Sequence, residues 1–412
     1  MRRTNHVLVG VMCAATLALA ACNDDGGSSG DTVKLGYLTS LSGAASAGFT
    51  GIEAGAEARL QAYKADDGEC ASTEFEVVMG DDASSAEGAL TATQKLVQQD
   101  KVFAVLPASS FFYGAGQFAG TTAASTPFVG ASFDGGPQWL NEDYKNLFSS
   151  DGNVDYTKVA DTYGEYWKSL GATKAAAVSF DTPSSSSAAL SVLQSAEDAG
   201  IPTAYSNVKV PFGSTDVGSI VLGIIDSGAD VAYLPTTPDT AFAVIGGLKQ
   251  AGVTLKSVLL ATGYGADLLQ SAPAVEAGQG AGFVTVSAPV EVGGAPETYL
   301  SDSLKKYADS ESGIPSFSQQ IGWMATDLFL HGFELAGCKA SQEDLISELR
   351  SSSDWDAGGL YGGTVDFSEY GEVAAASGPG NCIYVSILEG KAFKPDPKAK
   401  PICGEVTGQI GG

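Results

Sequence analysis

The chain has 412 residues, 44% hydrophobic and 17% charged. This is a globular composition, too long for one core and suited to two lobes of roughly 130–200 residues each. The formal net charge is −26, and Arg2 and Arg3 are the only charged residues among the first 21, so the remainder sets 20 basic against 48 acidic residues. A nucleic-acid ligand needs a basic footprint and an anionic lipid surface needs a polybasic segment; with neither in the sequence, neither partner is expected. Past residue 21 the histidines reduce to His331 and the arginines to Arg59 and Arg350. A multi-histidine zinc centre is thereby excluded within one chain, and any Ser-His-Asp or Cys-His mechanism would have to use His331. No metal or cofactor is expected.

Residues 1–21 have the form of a targeting segment. Arg2 and Arg3 precede an apolar run, Val7 to Leu19, that is short for a membrane span. The run ends in Leu19-Ala20-Ala21-Cys22, which resembles a bacterial lipobox with Cys22 as the lipidated residue of the mature chain. Residues 22–32, rich in Asn, Asp, Gly and Ser, read as a flexible tether. No later stretch has 18 consecutive apolar residues. The expected location is extracytoplasmic, anchored to the cell membrane by lipid alone. Cys70, Cys338, Cys382 and Cys403 remain, an even number without C-x-x-C spacing. In an oxidising compartment they read as two disulfides with three possible connectivities.

From residue 33 the pattern alternates strand and helix. Val33 to Leu38 is a strand; Ile52, Ala56, Leu60 and Tyr63 recur at helical spacing. Phe75 to Met79 is a strand ending in Gly80-Asp81-Asp82, and Ala89 to Val97 forms the next helix. Strands follow at Val102 to Leu106 and from Pro127. Near residue 154 the rhythm restarts. Val159, Tyr163, Tyr166 and Leu170 make a helical face, and Lys174 to Phe180 is a strand. A helix to Gly200, a strand at Thr203 to Val210, and a helical stripe through Val217, Ile220, Val221 and Ile224 come next. Val231 to Leu234 and Ser257 to Ala261 are strands around a helix, and Gly282 to Ser287 is a further strand. Two such runs predict an α/β protein of two doubly wound, Rossmann-like lobes built on parallel sheets. Ligands of such sheets bind beyond the carboxyl ends of the strands. The turns there are dominated by hydroxyls and small residues, with a few acids and no Lys, Arg or His.

Val33 to Gly48 (VKLGYLTSLSGAASAG) resembles the opening of type I periplasmic solute-binding proteins of the Leu/Ile/Val-binding class. Phe75 to Ser110 follows the same family in order: strand, Asp-Asp pair, Ala-rich helix, strand and serine pair. Val231 to Gly252 and Gly362 to Phe367 resemble its later segments. The resemblance spans about residues 33–400. It implies two lobes joined by a hinge of three crossings, near residues 150, 288 and 366. Residues 33–150 with 289–365 would form one lobe, residues 151–288 with 366–403 the other, and 404–412 a tail. Cys70 and Cys338 then share the first lobe and Cys382 and Cys403 the second, which favours those two pairings.

The resemblance also implies contacts to a solute. Family members hold a ligand carboxylate with hydroxyls and helix-start N–H groups. Ser109 and Ser110 match the serine position; either could instead be a helix cap. Ser132 and Asp134 match the second turn, where the family usually has a small hydroxyl in place of Asp134. Thr237 falls at a frequent tyrosine, and Gly263 at the glutamate that pairs with the ligand ammonium, with Tyr264 beside it. Phe49, Phe111 and Phe112 fall near the cleft edges, as wall or as packing. The implied role is that of a non-enzymatic, monomeric receptor of an ABC importer. It would capture a small amino acid, amide or related polar or amphipathic solute and deliver it to permease subunits. The alternative is a sensor with the same fold. An enzyme would require His331, which lies in the apolar stretch Ile321 to Leu335, in a cleft beside a nucleophile. Ser303-Leu304-Lys305-Lys306 has S-x-x-K spacing but reads as a solvated helix face.

Overall fold

The computed structural model describes residues 32–368 and 378–411. The targeting segment, Cys22 and the tether lie outside those residues, apart from Thr32.

A first sheet collects β1 (Val33–Thr39), β2 (Phe75–Asp81), β3 (Ala104–Ala108), β4 (Phe128–Gly130) and β5 (Leu147–Ser149) in the order β2-β1-β3-β4-β5. Every pairing in it is parallel. Helices α1 (Ile52–Ala65) and α2 (Ala86–Gln94) belong to this part of the chain. β6 (Lys158–Ala160) and α3 (Thr162–Ser169) then open a second run of β7 (Ala175–Phe180), α4 (Pro183–Asp198), β8 (Thr203–Val210), α5 (Gly218–Ser227), β9 (Val231–Leu234), α6 (Pro238–Gln250), β10 (Ser257–Leu260), α7 (Ala266–Gln270), α8 (Ala272–Ala277) and β11 (Gly282–Thr285). The chain returns to the first lobe with α9 (Ala295–Tyr307), α10 (Phe317–Leu335) and α11 (Gln342–Ser351), whose apolar faces complete its core. It finishes on the second sheet with β12 (Tyr384–Glu389) and β13 (Ala392–Pro395). That sheet has the order β13-β12-β11-β10-β9-β7-β8, with β12 and β13 antiparallel. Residues 404–412, read from the sequence as a tail, contain β14 (Val406–Gln409), which pairs antiparallel with β6.

Period-two alternation explains how the second sheet is buried on both faces. Along β7, Ala176, Val178 and Phe180 enter a core with Ile220, Val244 and Phe283. Ala175 and Ala177 enter the opposite one with Tyr163, Trp167 and Val192. In the first lobe α1 lies against α10 at backbone contact. A Cβ on Gly55 would sit 2.0 Å from the Gln319 carbonyl oxygen, and one on Gly322 would sit 2.1 Å from that of Ile52. Ser316 and Gln319 form a reciprocal capping box that starts α10. The Tyr37 and Thr326 hydroxyls, 2.6 Å apart, tie the sheet to that helix. Disulfides join Cys70 to Cys338 and Cys382 to Cys403.

The two lobes meet through the turns beyond the carboxyl ends of their strands. Phe111, after β3, packs on Phe212, after β8, with ring centroids 5.6 Å apart. Phe212 lies against the cores of both lobes. Gly135, after β4, reaches the start of α4, where a Cβ would stand 2.8 Å from Ser184 Cα. Gly265, after β10, reaches the start of α10, where a Cβ would stand 2.8 Å from Ser316 Cα. Both glycines have positive φ, 67° and 155°, so a side chain there would meet backbone strain as well as the other lobe.

Candidate functional site

Three parallel strands deliver hydroxyls to the rim of the first lobe, and one buried carboxylate organises them. Asp82 Oδ1 accepts from Ser40 Oγ at 2.7 Å and from the Ser84 N–H at 2.7 Å. Its Oδ2 accepts from Ser109 Oγ, which in turn accepts from the Phe111 N–H at 2.9 Å. Ser109 therefore spends its proton on Asp82, fully buried. Ser110 beside it is half-buried. Asp81 holds the turn above β1, accepting from the Leu41 and Ser42 N–H groups and from Ser42 Oγ.

The next turn is built around two more acids. Ser132 donates its N–H to Asp151 Oδ2 at 2.7 Å and accepts from Ser149 Oγ at 2.8 Å. Burial pushes the Asp151 carboxyl up to about 6, against the hydrogen bonds it accepts. Asp134 is 0% exposed and accepts from Gln138 Nε2 and Trp139 Nε1, each at 2.7 Å. Burial raises it to about 7. Its carboxylate is thus turned inward to fasten residues 135–140, and both oxygens are engaged.

In the second lobe Thr237 precedes α6 in extended conformation without capping it by its side chain. Its Oγ1 is 3.3 Å from Thr240 Oγ1. Tyr264 turns away into the core, with its ring 4.7 Å from that of Phe393. The phenol donates to Glu291 Oε2 at 2.5 Å and accepts from the Val290 N–H. Burial pushes the Glu291 carboxyl up.

Aromatic rings form the rest of the interface. Phe49, Phe133 and Phe317 make a triangle with centroids 5.7–6.3 Å apart. Phe112 lies in the core against Phe128 and Trp139. The sequence pattern marks Phe49, Phe111 and Phe112. It does not mark Asp151, Phe133, Phe212 or Phe317, and the Asp81-Asp82 pair reads there equally as a metal-binding pair or as a helix-cap region. Their signal is positional, since each stands just beyond a strand end or at a helix start.

The geometry around His331 is not that of a nucleophile and base. Its Nε2 is 3.0 Å from Ser352 Oγ and 3.5 Å from Asp354 Oδ1. Acid and hydroxyl share one ring nitrogen, whereas a triad needs the acid on the other. Ser303 of the S-x-x-K segment is buried in α9.

A family model described as periplasmic binding protein matches residues 32–385. No protein of curated function matches the sequence. Among solved structures, a substrate-binding periplasmic protein from Ralstonia solanacearum is 16% identical, with TM-score 0.73 over 88% of this chain and 100% of its own. An ABC-transporter solute-binding protein from R. palustris in complex with benzoate is 18% identical, with TM-score 0.70 over 92% and 99%. A branched-chain amino acid ABC transporter protein from Thermus thermophilus with bound valine is 15% identical, with TM-score 0.70 over 92% and 97%. These structures share the fold of two lobes on parallel sheets, and the chain belongs to the periplasmic binding protein family.

Proposed function

We propose that the protein is the extracytoplasmic solute receptor of an ABC importer, without catalytic activity of its own. The carrying observation is the convergence of the strand-end turns of both lobes on one interface, lined with hydroxyls and phenylalanines. A solute held between two such rims is enclosed by lobe closure, and the closed form is the signal a permease can recognise. The benzoate and valine complexes of similar structures support a small organic solute as the class. Removal of residues 1–21, lipid on Cys22 and the tether to residue 32 complete the proposal, placing the two lobes beside the permease. The lobe boundaries proposed are those the resemblance implies.

The test is thermal unfolding and small-angle scattering of the purified, ligand-stripped protein against amino acids, amides, polyols and small carboxylates. Binding to the folded state alone adds about 4 kcal/mol at a thousandfold excess over Kd. One class should raise the melting temperature and shrink the radius of gyration. If no class moves either, the receptor reading fails.

A further inference from the structure

Resting on the receptor reading above, we infer that Phe212 is a latch at the mouth of the cleft, which holds the lobes closed by seating on Phe111 and beside Ala44 of the first lobe. Topology puts it at the mouth. The chain passes from the first sheet to the second after β5, leaves it after β11 and re-enters it at β12. Lobe motion therefore pivots beside β5, β11 and β12. Phe212 follows β8, the edge strand at the other end of the second sheet, four strand spacings from β11. That is about 19 Å, at roughly 4.8 Å per spacing. Ala44 follows β1, three spacings from β5 in the first sheet. A contact this far from the pivot travels furthest when the lobes part, so it bears on closure more than on the fold of either lobe.

The ring is presented on a fixed turn. The Ser214 N–H donates to the Pro211 carbonyl at 3.0 Å, and Gly213 takes the left-handed conformation that glycine supplies, φ 73°. Thr240 Oγ1 donates to the Ser214 carbonyl at 2.8 Å, which pins the turn to α6. On its own lobe Phe212 rests on Phe180, the last residue of β7, with ring centroids 4.6 Å apart. Across the interface Phe111 stands 5.6 Å away. Three rings thus run from one lobe into the other, and the middle one is only half-buried. Gly213 comes up beside it against the loop after β1, where a Cβ would stand 3.9 Å from that of Ala44. These contacts across the mouth are apolar. Closing them buries ring surface whatever solute lies inside, and parting the lobes exposes it again. The latch sets how long a solute stays and leaves the choice of solute to the rims.

The experiment is a disulfide across the mouth. In the double variant Ala44→Cys, Gly213→Cys, the Cβ separation of 3.9 Å suits such a bond. The purified variant is equilibrated in glutathione redox buffers, and the bridge between residues 44 and 213 is read by peptide mapping. The bridge should form. Adding Phe212→Ala or Phe111→Ala should each lower its equilibrium constant about fivefold or more. Parent and ring variants carry the same strain at residue 213, so the comparison cancels it. Phe111→Ala leaves the packing of the second lobe intact, which separates a latch from a core residue of that lobe. Absence of the bridge from the double variant overturns the proposal, as does a bridge equally strong in both ring variants and their parent. The bridged protein should also show no rise in melting temperature with valine, benzoate or any class of the wider panel that raises that of the unbridged form. An equal rise in both forms overturns the placement at the mouth. If the bridge behaves as expected and no class moves the unbridged form, the receptor reading falls and the latch stands.

Discussion

Replacing Asp134 by Asn tests whether this turn is a buried structural clasp that titrates near neutrality. The carboxyl is 0% exposed, and burial lifts it from its ordinary 3.8 to about 7. The folded state therefore binds this proton more tightly than the unfolded state does. The stability that binding contributes is complete below about pH 4. It is lost as pH rises through about 7, and it amounts to on the order of 4 kcal/mol. In a protein of this size that is roughly 5 °C in melting temperature, at about 1.2 °C per kcal/mol. Asparagine removes the titration and keeps an oxygen for Trp139 Nε1, while Gln138 can turn its amide to present its own oxygen. Asp151 titrates with the same sign, up to about 6. The informative quantity is therefore the difference between wild-type and D134N melting profiles, recorded from pH 4 to 8.5. The wild type should lose ground steadily against the variant up to about pH 7 and hold level above it. A difference that is flat or rises with pH over that window would refute the reasoning.

Two further substitutions probe the scaffold. Cys70 and Cys338 are 268 residues apart and Cys382 and Cys403 are 21 apart. Loop-closure entropy then assigns about 5 kcal/mol to the first disulfide and about 3 to the second. Serine pairs at 70 and 338 should lower the urea midpoint more than serine pairs at 382 and 403, and the reverse order would contradict the entropic account. Gly55→Ala should cost about 3 kcal/mol, because its Cβ would meet the Gln319 carbonyl oxygen at 2.0 Å. Gly246→Ala in α6, with nothing within 4 Å, should be neutral or stabilising by about 1 kcal/mol in the same melts; equal effects would sink the close-contact argument.

Strand and helix positions were largely legible because alternation and helical spacing are local. Thr203 to Val210 coincides with β8, and Lys174 to Phe180 differs from β7 by one residue. The short β5 and the β6–β14 pair carry too few residues for a period to emerge. Side-chain direction was not legible. Tyr264 sits in the turn where the resemblance implies ligand contact, yet the Glu291 carboxylate and the Phe393 ring draw it into the core. Asp134 is likewise drawn inward by two N–H donors four and five residues on. Such choices depend on partners brought close only by folding. Phe212, a lone aromatic between Pro211 and Gly213, gives no sign in the sequence that it touches both lobes.

The Asp82 hub has a consequence for how selectivity can change. Through Ser40, Ser84 and Ser109 it freezes the exits of three strands while the chain folds. The entropy of ordering that rim is settled before a solute arrives, so the rim selects by fit and not by adaptation. A substitution at Asp82 would slacken all three exits together and blur selection. The shape of three strand exits thus hangs on one carboxylate, so a single substitution there should loosen the rim as a unit.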